Sequence, residues 1–585
     1  MQDRRIHVPA LATGLRAAFR SGYGLAQLRR DLLAGLTIGI VAVPLSMALA
    51  IATGVPPQHG LYTAIVAGAV IALTGGSRYS VSGPTAAFVV ILFPIVQQYG
   101  MGGLLLATLM AGMILLVLGL TRMGGLIRFV PYPVVLGFTA GIAVVIAVLQ
   151  IPDLLGLDPD GMGEHFTENL GRIVAALPGL DPVELGIGLM TLAVLILWPR
   201  LRTPLPAPLV GLAAGTLAAW AVNHWLGGAQ VDTIASRFTW TLDGESGTGI
   251  PPLPPHFQAP WRLPGPDGEP LSLSFGLIRD LAGPAFAIAM LAAIESLLCA
   301  VVADGLTRTR HDPNAELVGQ GLGNIAAPFF GGITATAAIA RTATNIRSGA
   351  VSPLSAVVHA AVVLLAVVAL AGVLGLVPMA ALAALLLVVA WNMSEARHFI
   401  HMLRSAPAGD VAILVLCFGL TVLFDMVLAV GVGVALAAAL FIRRMALLTQ
   451  AEAVPPQEDP QVRHLPAGVA LYDVNGPLFF GAAEKALTSL HTVDPGVRTV
   501  IMDMHDVPTM DATAIVALHT LIDEMERQGV ALILVGLPTR IIVKLRRAGI
   551  RKRAGHLTYA SDLARAAAVA RRWHGARQPA SPRKR

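Results

Sequence analysis

Two interruptions of an otherwise apolar chain hold the residues best suited to chemistry. The first is Leu73-Thr-Gly-Gly-Ser-Arg-Tyr-Ser-Val-Ser-Gly-Pro-Thr-Ala-Ala-Phe88. The second is Pro328-Phe-Phe-Gly-Gly-Ile-Thr-Ala-Thr-Ala-Ala-Ile-Ala-Arg-Thr-Ala-Thr-Asn345. In hydrocarbon an unpaired backbone N–H or C=O is costly, so irregular backbone persists only where protein wraps it or a cavity adjoins it. The apolar run that resumes at Pro84 is too short for a full crossing, which predicts a half-helix. Pro84 suits the first turn of such a helix, where an N–H has no helical partner. The amides of Thr85, Ala86 and Ala87 then open it and can hold an anion. In the second break Ala338, Ile339 and Ala340 take the matching place, and Arg341 adds a charge with fork-like donors. The plainer reading of Arg341 is a cytoplasmic anchor at the end of a short helix. Two broken segments in corresponding halves point to a transporter's substrate site. Helix packing at Gly75-Gly76 and Gly331-Gly332 is the alternative, but it does not explain two breaks in matched positions.

Glu295 is the third chemical feature. It stands in a run from Gly283 to Ala303 that is otherwise free of charge. A lone carboxyl there faces a bundle interior or a wet cavity and is suited to carrying a proton through a transport cycle. The alternative is a structural glutamate hydrogen-bonded to Ser46 or Gln320. Ser46, Gln320 and Asn324 are candidate substrate contacts, although polar residues in bundles also serve to pair helices. Asp304, Glu316, His359 and Asp425 are read as structural.

The elements that must position these groups are helices in a bilayer. Of 585 residues, 55% are hydrophobic and 13% charged, about half the charge of a soluble domain. Apolar runs fall near 32–53, 60–74, 85–98, 103–122, 130–151, 183–199 and 207–226. A second set falls near 283–303, 315–330, 338–349, 353–373, 376–391, 410–424 and 426–443. The expectation is 14 transmembrane segments, arranged as 7+7. An odd number per repeat requires the second repeat to be inverted. Arg78, Arg122, Arg128, Arg200, Arg202, Arg308, Arg310, Arg341, Arg347, Arg397, Arg404, Arg443 and Arg444 fall on one predicted face, and the acidic loops 152–182 and 227–275 on the other. The positive-inside rule then puts both termini in the cytoplasm. No signal peptide is read, because no small-residue cleavage site follows the arginine-rich start.

All four lysines lie at or beyond Lys485, which marks a second, soluble domain. Short strands are expected at 468–475, 498–505 and 530–536, and helices at 482–493, 512–528, 538–548 and 561–573, an α/β sandwich. The expected divisions are a cytoplasmic segment 1–30, a membrane domain 31–445, a linker 446–464, the α/β domain 465–575 and a basic tail 576–585. Cys299 and Cys417 both sit in apolar runs, which argues against a disulfide framework or a zinc site. No nucleophile–base pair or metal cluster is visible, so neither an enzyme nor a cofactor is expected. The net charge of +6 is explained by loop arginines without nucleic acid.

The residues Pro44-Leu-Ser-Met-Ala-Leu-Ala-Ile-Ala-Thr-Gly-Val-Pro-Pro-Gln-His-Gly-Leu-Tyr62, followed by Gly-Gly-Ser-Arg and Gly-Pro-Thr-Ala, resemble the signature of the sulfate permease (SulP) family of anion transporters. The C-terminal part resembles the STAS domain of that family. The segments Glu295–Asp304, Gly319–Asn324 and Gly331–Arg341 resemble its bacterial branch for C4-dicarboxylates such as succinate, fumarate and aspartate. The resemblance implies a uracil-permease-like fold with a core (about 31–122 and 280–373), a gate (about 130–226 and 376–443), an elevator-like cycle and a homodimer in the bacterial inner membrane. It implies a proton-coupling role for an acid at position 295, and substrate contacts at the two half-helices. Sulfate or bicarbonate is the alternative substrate, and a passive anion channel the alternative class. Among STAS relatives a phosphorylated serine follows an aspartate; here Asp511 is followed by Ala512, so a regulatory or assembly role with a cytosolic partner is expected instead.

Overall fold

The computed structural model describes residues 11–577 except 126–129, 160, 164, 202, 204, 226–229, 243–244, 425, 449, 455–464 and 480–495. Contacts divide the chain into two compact units, Met1–Val434 and Ala435–Arg585. The first unit opens with a short amphipathic helix, α1 (Thr13–Arg20), and continues through α2 (Leu25–Ala52) and α3 (Pro57–Thr74). A two-residue strand, β1 (Ser82–Gly83), and a single 3-10 turn, Ala86–Phe88, lead into α4 (Val89–Leu120). Helix α4 breaks at Gly100, whose φ of 67° lies in the left-handed region that suits glycine. Next come α5 (Tyr132–Leu149), α6 (Ile151–Leu155), α7 (Phe166–Ala176), α8 (Pro182–Leu197), α9 (Ala207–Trp225) and α10 (Ile234–Arg237). A hairpin of β2 (Thr239–Leu242) and β3 (Glu245–Thr248) closes this half.

The second half comprises α11 (Phe275–Thr307), α12 (Pro313–Ala326), β4 (Thr336–Ala337) and α13 (Ile339–Arg347). It ends with α14 (Leu354–Leu374), α15 (Met379–Met393), α16 (Ala396–Ser405), α17 (Ala408–Leu423) and α18 (Met426–Leu448). The apolar runs expected from sequence lie on helices, with 85–98 and 103–122 sharing α4 on either side of Gly100. Among the described residues eight stretches are long and apolar enough to cross a bilayer, and Ala408–Leu423 is a shorter apolar helix. Helices α1, α7 and α16 and the β2–β3 hairpin escape a hydropathy reading because their apolar residues are interleaved with charged or polar ones.

The helices sort into two packed groups. Helix α4 packs on α11 and α12, and α14 on α2 and α3, with α13 against α11 and α2. Helices α5, α8, α9, α15 and α17 form the other group. The two groups meet where α15 and α9 touch α2 and where the Ala86–Phe88 turn touches α5.

Close approach inside the first group is built on glycine. A Cβ on Gly112 of α4 would lie 2.9 Å from the Gly321 carbonyl oxygen and 2.8 Å from the Ile325 amide of α12. A Cβ on Gly321 would lie 2.7 Å from the Leu116 amide. Backbone atoms cannot rotate away, so Gly112→Leu must push the helices apart. We expect a destabilisation of at least about 1–3 kcal/mol, read as a lowered thermal midpoint of the detergent-solubilised protein.

The second unit is a five-stranded sheet in the order β5 (Gln450–Val454), β6 (Val469–Asn475), β7 (Thr499–Asp503), β8 (Ala531–Val535) and β9 (Leu557–Ala560). Strand β5 runs antiparallel to β6, and the others pair in parallel. Helices α19 (Ala512–Arg527) and α20 (Thr539–Arg547) cover one face, packing Leu518, Leu521, Ile541 and Leu545 on Val500, Met502, Leu532 and Leu534. Helix α21 (Leu563–Arg577) covers the other, with Ala566, Ala567 and Ala570 on Leu471, Ile501 and Ile533. Alternate residues of β7 and β8 thus face opposite layers, as strand geometry requires. Two expectations need correction. Gln450–Val454, expected in the linker, is an edge strand, and Leu557–Ala560 is a strand that composition did not reveal. The expected helix 482–493 and most of the basic tail lie outside the described residues.

Candidate anion-binding site

Both breaks begin in the same way. Helix α3 ends at Gly75-Gly76 before β1, and α12 ends in a 3-10 turn at Ala327–Phe330 and Gly331-Gly332 before β4. Strands β1 and β4 pair antiparallel, Ser82 opposite Ala337 and Gly83 opposite Thr336. Each break therefore satisfies part of the other's backbone, which is how irregular chain is tolerated in a membrane protein. Because the strands are antiparallel and each leads straight into a helix, the two helices start from one bridge and run apart. Their N-termini converge.

Side chains hold the bridge in place. Asn324 Nδ2 donates to the Ala335 and Gln320 carbonyls, and its Oδ1 accepts from the Ala335 amide. Thr342 Oγ1 accepts from the Val81 amide at 3.1 Å. Glu316, buried in α12, accepts from the amides of Gly76 and Ser77 at 2.9 Å each, and from Gln320 Nε2. Its charge is fully engaged in closing the end of α3, which supports the structural reading. Asp304 accepts from Thr309 Oγ1 and from the amide and Nδ1 of His311, and so ties the α11–α12 turn. His359 is buried beside Gly68. Asp425 lies outside the described residues.

At the first N-terminus Thr85 occupies the cap position with an extended backbone (φ −125°, ψ 153°), but its hydroxyl makes no capping bond. That hydroxyl donates instead to Glu295 Oε2 at 3.0 Å. The Ala86 and Ala87 amides occupy the first helical positions, which lack helical acceptors by geometry. Thr85, Ala86 and Ala87 are all buried, while Glu295 is half-buried. The partner of Glu295 is thus neither Ser46 nor Gln320, as the structural alternative anticipated. Gln320 Nε2 is bonded to Ser82 and Glu316.

At the second N-terminus the expectation is only partly met. The Ala338 amide donates to the Val81 carbonyl at 3.1 Å and so belongs to the bridge. Ala338 caps α13 with its carbonyl, which accepts from Thr342. Ile339 and Ala340 are exposed and provide the first free helical amides. Sequence alone could not show this loss of one donor, because it depends on the register of β1 against β4.

Arg341 is 4% exposed, and its Nη2 donates to the Pro84 carbonyl at 2.6 Å. Among the described residues Nε and Nη1 have no hydrogen-bond partner, and no carboxylate lies within ion-pairing distance. The guanidinium therefore spans from the second break to the backbone of the first, which is not the placement of a surface anchor. Gly83 makes room for it, since a Cβ there would lie 2.5 Å from Nη1. Arg341 and Glu295 are near enough to feel each other's charge. Ser46 is different. It is buried where α2 meets the start of α3, with its carbonyl against Gly60 and its hydroxyl unpartnered, and it bonds none of these groups.

The sequence offers Thr85 as an amide donor, whereas the structure also engages its hydroxyl. A threonine at a helix start is a signal for a side-chain bond, yet the acceptor is found only in three dimensions. Gly83 is legible as part of the break, but the room it leaves for Arg341 is found only in three dimensions. The site as assembled offers convergent amide dipoles, one buried cation and one half-buried carboxyl. No metal-ligating cluster occurs among the described residues.

Known proteins match the chain over most of its length. A profile of the "Sulfate permease family" matches residues 28–416, and one of the "STAS domain" matches residues 460–563. The chain is 41% identical to a "Putative sulfate transporter YvdB" of Bacillus subtilis, over 91% of this chain and 96% of that one. It is 31% identical to a "Bicarbonate transporter BicA" of Picosynechococcus sp., over 89% of this chain and 91% of that one. Its fold matches a solved structure of SLC26A9 with a TM-score of 0.81 at 18% identity, covering 96% of this chain and 93% of that one. The transmembrane domain of a cyanobacterial BicA matches with a TM-score of 0.58 at 26% identity, covering 71% of this chain and 98% of that one.

Proposed function

The chain belongs to the sulfate permease family of anion transporters, with a C-terminal STAS domain, and from that premise we propose a proton-coupled secondary transporter of a small inorganic oxyanion, sulfate or bicarbonate. The observation that carries the reading is the Thr85–Glu295 hydrogen bond at the opening turn of one half-helix, beside the buried Arg341 guanidinium. The dicarboxylate expectation gives way, because the relatives compared above carry sulfate or bicarbonate in their names. One cradle with one buried cation also suits a single compact anion better than two separated carboxylates.

Coupling follows from charge. With Glu295 ionised, Arg341 is offset and an arriving anion meets only amide dipoles. With Glu295 protonated, the site is net positive and the carboxyl gains an O–H to donate. Anion and proton therefore favour each other's binding and travel together. The group containing the bridge acts as the moving core, and the α5–α8–α9–α15–α17 group as the gate, in a bacterial inner membrane with both termini cytoplasmic.

The test is uptake of labelled sulfate, bicarbonate and succinate into proteoliposomes under imposed pH or sodium gradients. Accumulation of sulfate or bicarbonate under an inward proton gradient is expected. Accumulation of succinate alone, or driving by sodium alone, would overturn the proposal. Thr85→Val, which removes the hydroxyl but keeps the shape, is expected to slow proton-driven uptake about tenfold, the worth of one hydrogen bond to a charged group. Thr85→Ser should restore most of it.

A further inference from the structure

A polar cavity of about 580 Å³ is formed by three separate parts of the chain, none of them the bridge itself. Helix α1 contributes Thr13, Arg16 and Arg20; the turn after α3 contributes Arg78; and the α11–α12 turn contributes Arg310 and His311. Helix α1 is firmly docked there. The Ala12 amide donates to the Thr74 carbonyl at 2.8 Å, and the Gly14 amide to the Gly75 carbonyl at 3.3 Å. A Cβ on Gly14 would lie 2.4 Å from the Ser77 carbonyl oxygen. Arg78 Nη2 donates to the Ala17 carbonyl and ties the turn to the helix.

The lining is unbalanced in charge. Its four arginines face one acid, Asp312, whose Oδ1 is occupied in capping α12 through the amides of Asn314 and Ala315. The side chains of Arg16, Arg20 and Arg310 have no hydrogen-bond or ion-pair partner among the described residues. Two buried polar atoms in the lining are likewise unsatisfied. One is Thr13 Oγ1, and the other is His311 Nε2 on a side chain only 2% exposed. Since His311 Nδ1 is engaged by Asp304 at 2.7 Å, Nε2 is the atom left to meet a ligand. A buried donor or acceptor without a partner costs about 1–3 kcal/mol, and a fixed group of this kind in a cationic cavity marks a ligand position.

We propose that this cavity is a regulatory binding site for a phosphate-bearing anion, either a free phosphate compound or the headgroup of an anionic phospholipid. The arginines supply forked donors matched to phosphate oxygens. The volume exceeds what a bare oxyanion needs and lies within the range of organic ligand pockets. The arginines that line it sit on the face assigned to the cytoplasm, where anionic headgroups attract basic residues. An occupant bridges α1 to the Gly75-Gly76 turn that leads into β1, so binding stiffens the support of the first half-helix.

The test measures thermal stabilisation of the full-length protein in detergent by inorganic phosphate and by dihexanoyl phosphatidylglycerol, with dihexanoyl phosphatidylcholine as the zwitterionic control. Ligand binding to the folded state raises its stability in a saturable, concentration-dependent way. At least one anionic probe is expected to stabilise the parent, and Arg16→Gln with Arg20→Gln to weaken its apparent affinity about tenfold or more. Both arginines are exposed, so the unliganded midpoint should not move. His311→Asn should weaken binding as well. Stabilisation by the lipid probe alone identifies a headgroup, and by phosphate alone a free ligand. No stabilisation by either probe, or parent-like affinity in both variants, overturns the proposal. Persistence in the double arginine variant with loss in Arg341→Gln would assign the effect to the half-helix site instead.

Discussion

Glu295→Gln is expected to abolish uptake driven by an imposed proton gradient while leaving the protein folded. The substitution keeps the size of the side chain and an oxygen that can accept from Thr85 Oγ1, now 3.0 Å from Oε2. It removes the exchangeable proton and the negative charge that offsets Arg341. Glutamine imitates the protonated, anion-binding form, so substrate binding should survive and lose its pH dependence. Equilibrium counterflow of labelled anion, which needs no net driving force, should continue at a rate within about tenfold of the parent. A pH-gradient-driven accumulation equal to the parent's would refute the coupling role of Glu295. Loss of both counterflow and substrate binding would instead indicate that the residue serves only to brace Thr85.

Arg341→Gln is expected to raise the substrate concentration for half-maximal uptake by about tenfold to hundredfold, the range for a charge-assisted hydrogen bond in a buried site. Among the described residues the guanidinium has one partner, the Pro84 carbonyl, and two nitrogens without one. A cation placed only to hold the first break would use its donors on protein. Arg341→Lys keeps the charge but not the fork, so it should recover part of the affinity. The discriminating measurement is substrate affinity set beside the thermal midpoint of the unliganded protein. A purely structural role predicts a lowered midpoint with unchanged affinity, and that result would sink the substrate-facing role.

How much of this was legible beforehand differs from element to element. The broken helices were readable because backbone irregularity in an apolar run is a local property: Gly75-Gly76, Gly83-Pro84 and Gly331-Gly332 announce it without knowledge of the fold. The α19 start was readable for the same reason, since Asp511 Oδ1 accepts from the Ala514 amide as an N-cap should. Strand β5 was not, because Gln450–Val454 is a short run with a single β-branched residue and pairs only where β6 offers an edge. Helix α1 was not, because an eight-residue helix with arginines is not stable alone and depends on the Thr74 and Gly75 carbonyls for anchorage.

The sequence by itself determined a helical membrane domain joined to an α/β domain, two half-helices in matched positions, and a single carboxyl stranded in an apolar run. All of these depend on solvent preference and chain stiffness, which act over a few residues. Only the tertiary structure decided which groups meet. Thr85 and Glu295 are 210 residues apart in the chain, and Arg341 and Pro84 are 257 apart. Their pairing follows from the antiparallel register of β1 on β4, which also removes the Ala338 amide from the site. Register is set by packing around the bridge, through Asn324, Thr342 and the glycine contacts of α4 with α12. No local pattern encodes it. Composition thus identified the donors, and packing selected those that face an anion.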